Sequence, residues 1–461
     1  CMSDIIHELR AIVGEKGVLD TDALSSRVGN VWSGAALNAK ALVRPSSTHE
    51  VSQVLAHCNK VGQPVVPLGG MTGLADAGKT EPHEIALSME RMNVIEDVDE
   101  IGRTMTVQGG VILQNVHEKA DEAGLMFPLD LGARASCTIG GNIATNAGGV
   151  RVVRYGMMRN QLLGLEAVLA DGTVLNGMSS LIKNNTGYDL KQLFVGSEGT
   201  LGVVTRAVLR LHEALPGVGT AFLSVPDWVA VMKLLRTLDK KVAGGVIAYE
   251  VMWRDYYEVN TGETSDVKSP FADPVEFFVI AEMPFLNPET GNDEMEELLA
   301  QVFEDGLIVD GVIPKSEEEC ERLWQIRESF EPEKKLYDTG YYFDVSLDLA
   351  AMDDYVNSVR TELKLVAPQA DLLSMGHIGD NNVHFSLGGI HENQIAAACA
   401  IVYEPLKELN GSVSAEHGIG LEKKAYLGIS RTPEEMEIMR RIKTLFDPNN
   451  ILNPGKIFDL T

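Results

Sequence analysis

The chain is short of cysteine, of positive charge and of long apolar runs, and each shortage removes a class of protein. Its five cysteines (Cys1, Cys58, Cys137, Cys320, Cys399) are odd in number and scattered, with no CxxC pair. Reduced thiols in a cytoplasmic setting are therefore expected rather than a disulfide framework. Lys and Arg total 39 against 66 Asp and Glu, a formal net charge of -27. Such acidity argues against nucleic acid and against an anionic membrane surface as partners, and it requires local positive charge wherever an anionic substrate binds. No apolar run approaches the roughly 18 residues of a membrane span, so no integral membrane segment is expected. The polar stretch from Asp4 to Val13 reads as a helix without a signal-peptide core, and Cys1 precedes Met2, the expected native start. Internal repeats and low-complexity segments are also missing.

At 461 residues, with 45% hydrophobic and 23% charged content, the chain suits a globular protein of two or three domains. Residues 1–35 read as a helical lead-in and 36–215 as a composite α/β region. There Ser47 to Glu50 fits a capping box, Val51, Val54, Leu55, Cys58 and Val61 follow at helical spacing, and Gly62 is a natural C-cap. Strands are expected at Pro64 to Leu68 and Thr104 to Val107, the latter followed by a helix to about Ala123. A hairpin is expected around Asp171-Gly172, and a strand closing at Val203-Val204. Region 216–410 alternates strands such as Phe277 to Ala281 with acidic helices, Asn292 to Phe303 and Ser316 to Ile326, the pattern of an α+β domain. Region 411–461 carries a charged helix from Pro433 to Phe446.

Two glycine runs stand out, Pro67 to Leu74 and Ile139 to Gly149. Glycines let successive backbone N–H groups turn toward an anion and approach it closely, and Thr72, Asn142, Thr145 and Asn146 add side-chain donors. A diphosphate is the natural guest. No Walker lysine follows either run, and neither fits GxGxxG between a strand and a helix, so triphosphate hydrolysis and a Rossmann site are not expected.

The second cluster is Gly376-His377-Ile378-Gly379-Asp380-Asn381-Asn382-Val383-His384, with Ala415-Glu416-His417-Gly418 later. On one straight strand the odd offset would put His377 and His384 on opposite faces. The intervening Gly-Asp-Asn-Asn is a turn composition, and a chain reversal lets the imidazoles converge. Glu416 and His417 are neighbours, so one points in as a ligand and the other serves chemistry. Two histidines and one carboxylate form a common catalytic zinc set, although manganese, cobalt or iron also suit it.

The runs Pro128 to Gly132, Thr138 to Gly149, Arg154-Tyr155-Gly156 and Val195 to Gly202 resemble the FAD domain of the vanillyl-alcohol oxidase (PCMH-type) superfamily. Within it, the chain most resembles the D-2-hydroxyglutarate and D-lactate dehydrogenase group, and Asn185 to Leu190 and Gly411 to Gly418 resemble its hydroxyglutarate branch. The resemblance runs from about residue 36 to Asn453-Pro454-Gly455-Lys456. It implies an α+β protein with a two-subdomain FAD domain, an α+β substrate cap, and a mostly helical C-terminal segment that returns to the flavin.

The same resemblance implies that Pro67, Gly69, Gly70, Met71, Thr72, Gly73 and Leu74 cradle the FAD pyrophosphate. Pro128, Asp130, Gly132, Ser136, Gly140, Gly141, Asn142, Thr145, Asn146, Gly148, Gly149 and Val150 would run beside phosphates, ribose and ring, joined by Glu198, Gly199, Gly202, Val203, Val204 and Asn453. Several relatives hold FAD covalently through a histidine in the first loop. This loop has none, so FAD is expected to be non-covalent. His377, His384 and Glu416 would hold zinc, and His417 would take the hydroxyl proton as hydride passes from a D-2-hydroxy acid to flavin N5, giving the 2-oxo acid.

Arg327 would grip a substrate carboxylate. The family's usual threonine, lysine and asparagine are replaced here by Glu331, Tyr342 and Ser386, so D-2-hydroxyglutarate, D-malate, D-lactate and an aromatic analogue stay open. The acceptor implied is electron-transfer flavoprotein or a quinone pool. Oligomeric state is open, with a homodimer as the candidate assembly. The alternatives are a flavin oxidase using oxygen on an acid such as glycolate, or a metal-dependent hydrolase or metal-binding protein without flavin.

Overall fold

The computed structural model describes residues 5–460 apart from Ser25, Pro274, Leu286 and Pro288. Cys1 and Asp4 lie outside the described residues; the first helix is Ile5–Val13. Two compact units form. The first comprises Cys1–Gly148, Gly156–Ala214 and Glu416–Thr461, and the second Gly149–Tyr155 and Leu215–Ala415.

The first unit holds two principal sheets. One orders Val18–Asp20, Ala41–Val43, Ile85–Ser88 and Val65–Leu68, the last three parallel. Helix Thr48–Val61 packs Val51, Val54, Leu55 and Cys58 into its core. Ser47 caps that helix by accepting from the Glu50 amide at 3.2 Å, and Gly62 closes it at φ 68°. The reciprocal half of the box is displaced by one residue, because the Glu50 carboxylate takes the Ser46 amide at 2.7 Å. The other sheet is antiparallel: Ile95–Asp99, Thr104–Gln108, Val203–Arg210, Leu162–Val168, Val174–Gly177. Its last pair is the hairpin expected around Asp171-Gly172, and Leu113–Glu122 is the expected helix after Thr104–Gln108.

One expectation needs correction. The run from Ile139 is not a loop throughout; Ile139–Thr145 is helical. Two glycines weaken helix propensity, but Thr138 caps the start through the Gly141 amide at 3.3 Å, and Asn146 takes the left-handed turn at the end. Buried Ile139 and Ile143 supply the apolar stripe.

The second unit is built on a seven-stranded sheet ordered Asp310–Val312, Gly217–Val225, Phe277–Phe285, Ala248–Trp253, Asp371–His377, Asn382–Gly388, Gly340–Ser346. Every neighbouring pair is antiparallel. Register places chemistry on one face. Glu250 is opposite His377, His384 stands between Met375 and Asp344, and Ser386 between Leu373 and Tyr342. Partners across strands share a face and alternate residues repeat it, so all of these side chains project from the same side. Met252, Leu373 and Met375 cover that side toward Leu323 and Ile326 of helix Glu317–Glu328. Helix Gly291–Glu304 forms where its pattern places it, as does Pro433–Phe446 in the first unit.

Candidate active site

In the first unit, glycine marks close backbone approach. A Cβ on Gly70 would lie 2.0 Å from the Ser136 carbonyl oxygen, and one on Gly69 2.6 Å from Thr138 Oγ1. The same holds for Gly140 against Gly109 O at 2.9 Å and Gly109 against Val204 O at 2.5 Å. Thus the strand end at Pro67, the Ser136 turn and the helix start at Gly140-Gly141 converge. Beside them Gly73 and Gly132 face open space. Thr145 and Asn146 are used within the helix end: Thr145 donates to Gly141 O at 3.1 Å, and Asn146 Oδ1 accepts from the Arg159 amide at 2.9 Å. Trp32 Nε1 donates to Thr72 O at 2.8 Å, Met71 adopts φ 58°, and Leu74 is partly exposed. Asp130 is buried against Arg134 at 3.1 Å, with Pro128 buried just before it. Gly148 closes this stretch, whereas Gly149 and Val150 belong to the short segment assigned to the second unit. Cys137 sits in the hydrophobic core, and burial pushes its thiol up to about 11, which leaves it a packing residue.

Glu198 ties this region to the C-terminal segment. It is buried and left-handed at φ 51°. Its carboxylate accepts from the amides of Ile419 at 2.7 Å and Gly420 at 2.8 Å, two and three residues past His417. Burial pushes the carboxyl up, while those two amides pull it down. Its main-chain oxygen accepts from Asn453 Nδ2 at 2.7 Å, and Asn453 also donates to Ala77 O at 3.0 Å. Gly199 lies against Pro67 and Gly202 against Phe194, so no larger residue fits the turn into Val203-Val204.

Two polar atoms here remain to be satisfied. Asn453 Oδ1 is buried without a partner, and Asn142 Nδ2 has none beyond the sulfur of Cys137. A glycine-lined cradle with such atoms fits an extended, phosphate-bearing ligand of the FAD kind.

In the second unit the expected reversal occurs. Asp371–His377 and Asn382–Gly388 are joined by a short 3₁₀ turn, Ile378–Asp380, with Asn381 at φ 71°. The imidazoles of His377 and His384 then face each other, centroids 5.2 Å apart and planes at 86°. His377 Nδ1 is held by Glu250 Oε1 at 2.7 Å, which directs Nε2 outward. His384 Nδ1 lies 3.7 Å from Asp344 Oδ1.

Glu250 is fully buried and also bonds Arg327, at 2.9 Å to Nε and 2.8 Å to Nη2. Burial pushes its carboxyl up, but His377 and Arg327 outweigh that and hold it below the usual range. Arg327 itself is 5% exposed, a buried arginine rather than a helix-surface one. Ser386 and Tyr342 meet Glu333, whose carboxyl is hydrogen-bonded to the Ser386 hydroxyl.

Within the second unit, His377 and His384 bring two imidazoles together with the Asp344 carboxylate beside them, a donor set of the kind that holds a metal ion. Glu416 directly follows Ala415, where the second unit ends. Imidazole and carboxylate donors suit zinc and its first-row neighbours.

Glu250 and Glu333 were missed by sequence reasoning. Glu250 lies 127 positions from His377 and Glu333 53 from Ser386, and no local motif links either pair. Among the described residues no helix is long and apolar enough to cross a membrane.

Two family models match: an FAD binding domain over residues 39–177, and the C-terminal domain of FAD linked oxidases over residues 217–457. A probable mitochondrial D-2-hydroxyglutarate dehydrogenase of Oryza sativa subsp. japonica is 36% identical over 99% of this chain and 82% of its own length. The mitochondrial D-2-hydroxyglutarate dehydrogenase of Bos taurus is 38% identical over 91% of this chain and 77% of its own. In fold, p-cresol methylhydroxylase with substrate bound superposes with a TM-score of 0.76 at 17% identity, covering 99% of this chain and 96% of that one. An α+β, PCMH-type fold is therefore present, and the chain belongs to the FAD-linked oxidase family, in the group of FAD-dependent oxidoreductases that includes the D-2-hydroxyglutarate dehydrogenases.

Proposed function

We propose that this chain oxidises a small D-2-hydroxy acid to the 2-oxo acid, with non-covalent FAD and a divalent cation, zinc first among the choices. The observation that carries the reading is the single face of the second unit's sheet. It sets Glu250 between His377 and the helix-borne Arg327, with His384 facing His377 and lying beside Asp344. Relatives with D-2-hydroxyglutarate in their names point to the same chemistry.

In this reading the 67–74 loop, the 128–150 stretch, the 198–204 turn and Asn453 hold FAD, which supplies the hydride acceptor. His377, His384 and Glu416 hold the cation, which supplies Lewis acidity toward the 2-hydroxyl. The chain's own groups do the rest. Nη1 of Arg327, the nitrogen that Glu250 leaves over, meets the substrate carboxylate. His377 is held through Nδ1 by Glu250, which leaves Nε2 to face the cation. His417 takes the hydroxyl proton, a task suited to imidazole near neutral pH. The glycine-lined approach of backbone segments limits water beside the cofactor.

With FAD bound, the acceptor would be an electron-transfer flavoprotein or a quinone pool, since the sequence carries no GxGxxG run for NAD. We place the enzyme in the cytoplasm, with its thiols reduced, and a homodimer is its candidate assembly.

The test is His417→Ala. The variant is expected to keep its flavin spectrum and metal content and to lose anaerobic flavin reduction by about 10²-fold or more, the usual weight of a general base. Reduction at the wild-type rate would sink the assignment. Purified folded protein without flavin bands would instead favour a hydrolase or metal-binding role.

A further inference from the structure

A second polar cluster lies on the sheet face that carries His384. Ser386 follows His384 by two residues on the same strand and is paired with Tyr342. Two strand residues span about 7 Å, the reach of a four- or five-carbon acid held at its other end near His384. Behind the two hydroxyls sits Glu333, from helix Glu331–Leu336, only 3% exposed. Its Oε1 is hydrogen-bonded to Ser386, and the Tyr342 hydroxyl lies close to the carboxyl. Its Oε2 is buried with no hydrogen-bond partner.

A buried carboxylate with one oxygen unsatisfied and only neutral hydroxyls around it is costly, whereas a carboxylic acid is not. In accord with this, burial raises the Glu333 carboxyl above the usual range, and the two hydroxyls only partly offset it. Two cations stand on the flanking helices. Lys334 is largely exposed and pairs with Glu331 at 3.3 Å, and Arg327 is held by Glu250. The Ser386 hydrogen is already given to Glu333, so the cluster offers the Tyr342 hydroxyl, the lone pairs of the Ser386 oxygen and no cation of its own.

We propose that Ser386 and Tyr342, positioned by Glu333, form a neutral subsite for the far end of the substrate, and that the preferred substrate is a D-2-hydroxy acid ending in an uncharged hydrogen-bonding group rather than a second carboxylate. This rests on the dehydrogenase reading above and narrows it. A dicarboxylate would place its second charge beside the buried Ser386 and Glu333 and the half-exposed Tyr342, with no counter-charge. An amide or hydroxyl would replace its water partners one for one.

The experiment uses flavin-loaded enzyme and measures anaerobic kcat/KM for three probes: D-2-hydroxyglutarate, its 5-amide, and D-2-hydroxyvalerate. Wild type is expected to favour the amide over the dicarboxylate by tenfold or more, with the apolar-ended acid between them. Glu333→Gln should raise KM for the amide several-fold with kcat little changed, and Tyr342→Lys should move the preference toward the dicarboxylate by tenfold or more. Flavin spectrum and melting temperature certify folding of each variant, and should Glu333→Gln not fold, the wild-type ratio and Tyr342→Lys still decide. A wild-type preference for the dicarboxylate, or an unchanged ratio in Tyr342→Lys, overturns the subsite while leaving the dehydrogenase standing. Failure of all three probes to reduce bound flavin overturns both.

Discussion

Replacing Glu198 tests whether the segment that carries His417 is held by a single side chain. The Glu198 carboxylate accepts two backbone amides, Ile419 at 2.7 Å and Gly420 at 2.8 Å. The neighbouring glycines leave no slack. Gly418 adopts φ 82° with the Glu198 carboxylate 2.8 Å from its would-be Cβ, and a Cβ on Gly420 would lie 1.8 Å from Ala75 O. Hydrogen bonds to charged groups contribute about 1.5–3 kcal/mol each. Glutamine keeps one acceptor and turns an NH₂ against the other amide, so Glu198→Gln should cost about 2–3 kcal/mol. In a unit of this size each kcal/mol moves Tm by roughly 2–4 °C, giving a drop of about 4–12 °C. Differential scanning fluorimetry reads that drop, and stopped-flow flavin reduction should slow by tenfold or more as His417 loses its fixed approach. Unchanged Tm and unchanged reduction rate together would refute the reasoning.

Glu250→Gln should weaken divalent-metal affinity by about 10–100-fold, the usual effect of losing a carboxylate that orients a histidine ligand, as read by competition with a chromogenic chelator. Unaltered affinity would show that His377 is oriented by something else. Glu333 also makes a pH prediction. Its folded-state carboxyl lies above the unfolded value because burial dominates, so its contribution to stability is full below the ordinary carboxylate range and is lost as pH rises through the raised value. The non-titrating Glu333→Gln should therefore gain Tm relative to wild type between pH 5 and pH 8, and a flat difference would contradict an elevated carboxyl.

Much of this arrangement was legible in the sequence wherever the cause is local. The Gly-Asp-Asn-Asn run between the two histidines did form a reversal, because Asn381 tolerates φ 71° and a 3₁₀ turn fits three residues. Ser47 and Gly62 marked helix ends for the same kind of reason, a short polar side chain or a missing Cβ. The glycine run at 139–149 misled in one respect, since composition alone reads as loop while the Thr138 and Asn146 caps make a helix. Glu250 and Glu333 were out of reach because only strand register and helix packing, set by contacts far along the chain, bring them to His377 and Ser386. Arg327 was found, but its burial on Glu250 could not be seen from its own helix.

The central claim is that bound flavin is reduced by a D-2-hydroxy acid in a metal-dependent step. Anaerobic bleaching of the flavin absorbance by a panel of D-2-hydroxy acids, repeated after chelation and again after zinc is restored, tests it most directly. The account predicts bleaching by at least one D-acid and none by its L-enantiomer, with loss on chelation and recovery with the cation. Bleaching that survives complete metal removal, or flavin that no D-2-hydroxy acid reduces, would contradict it.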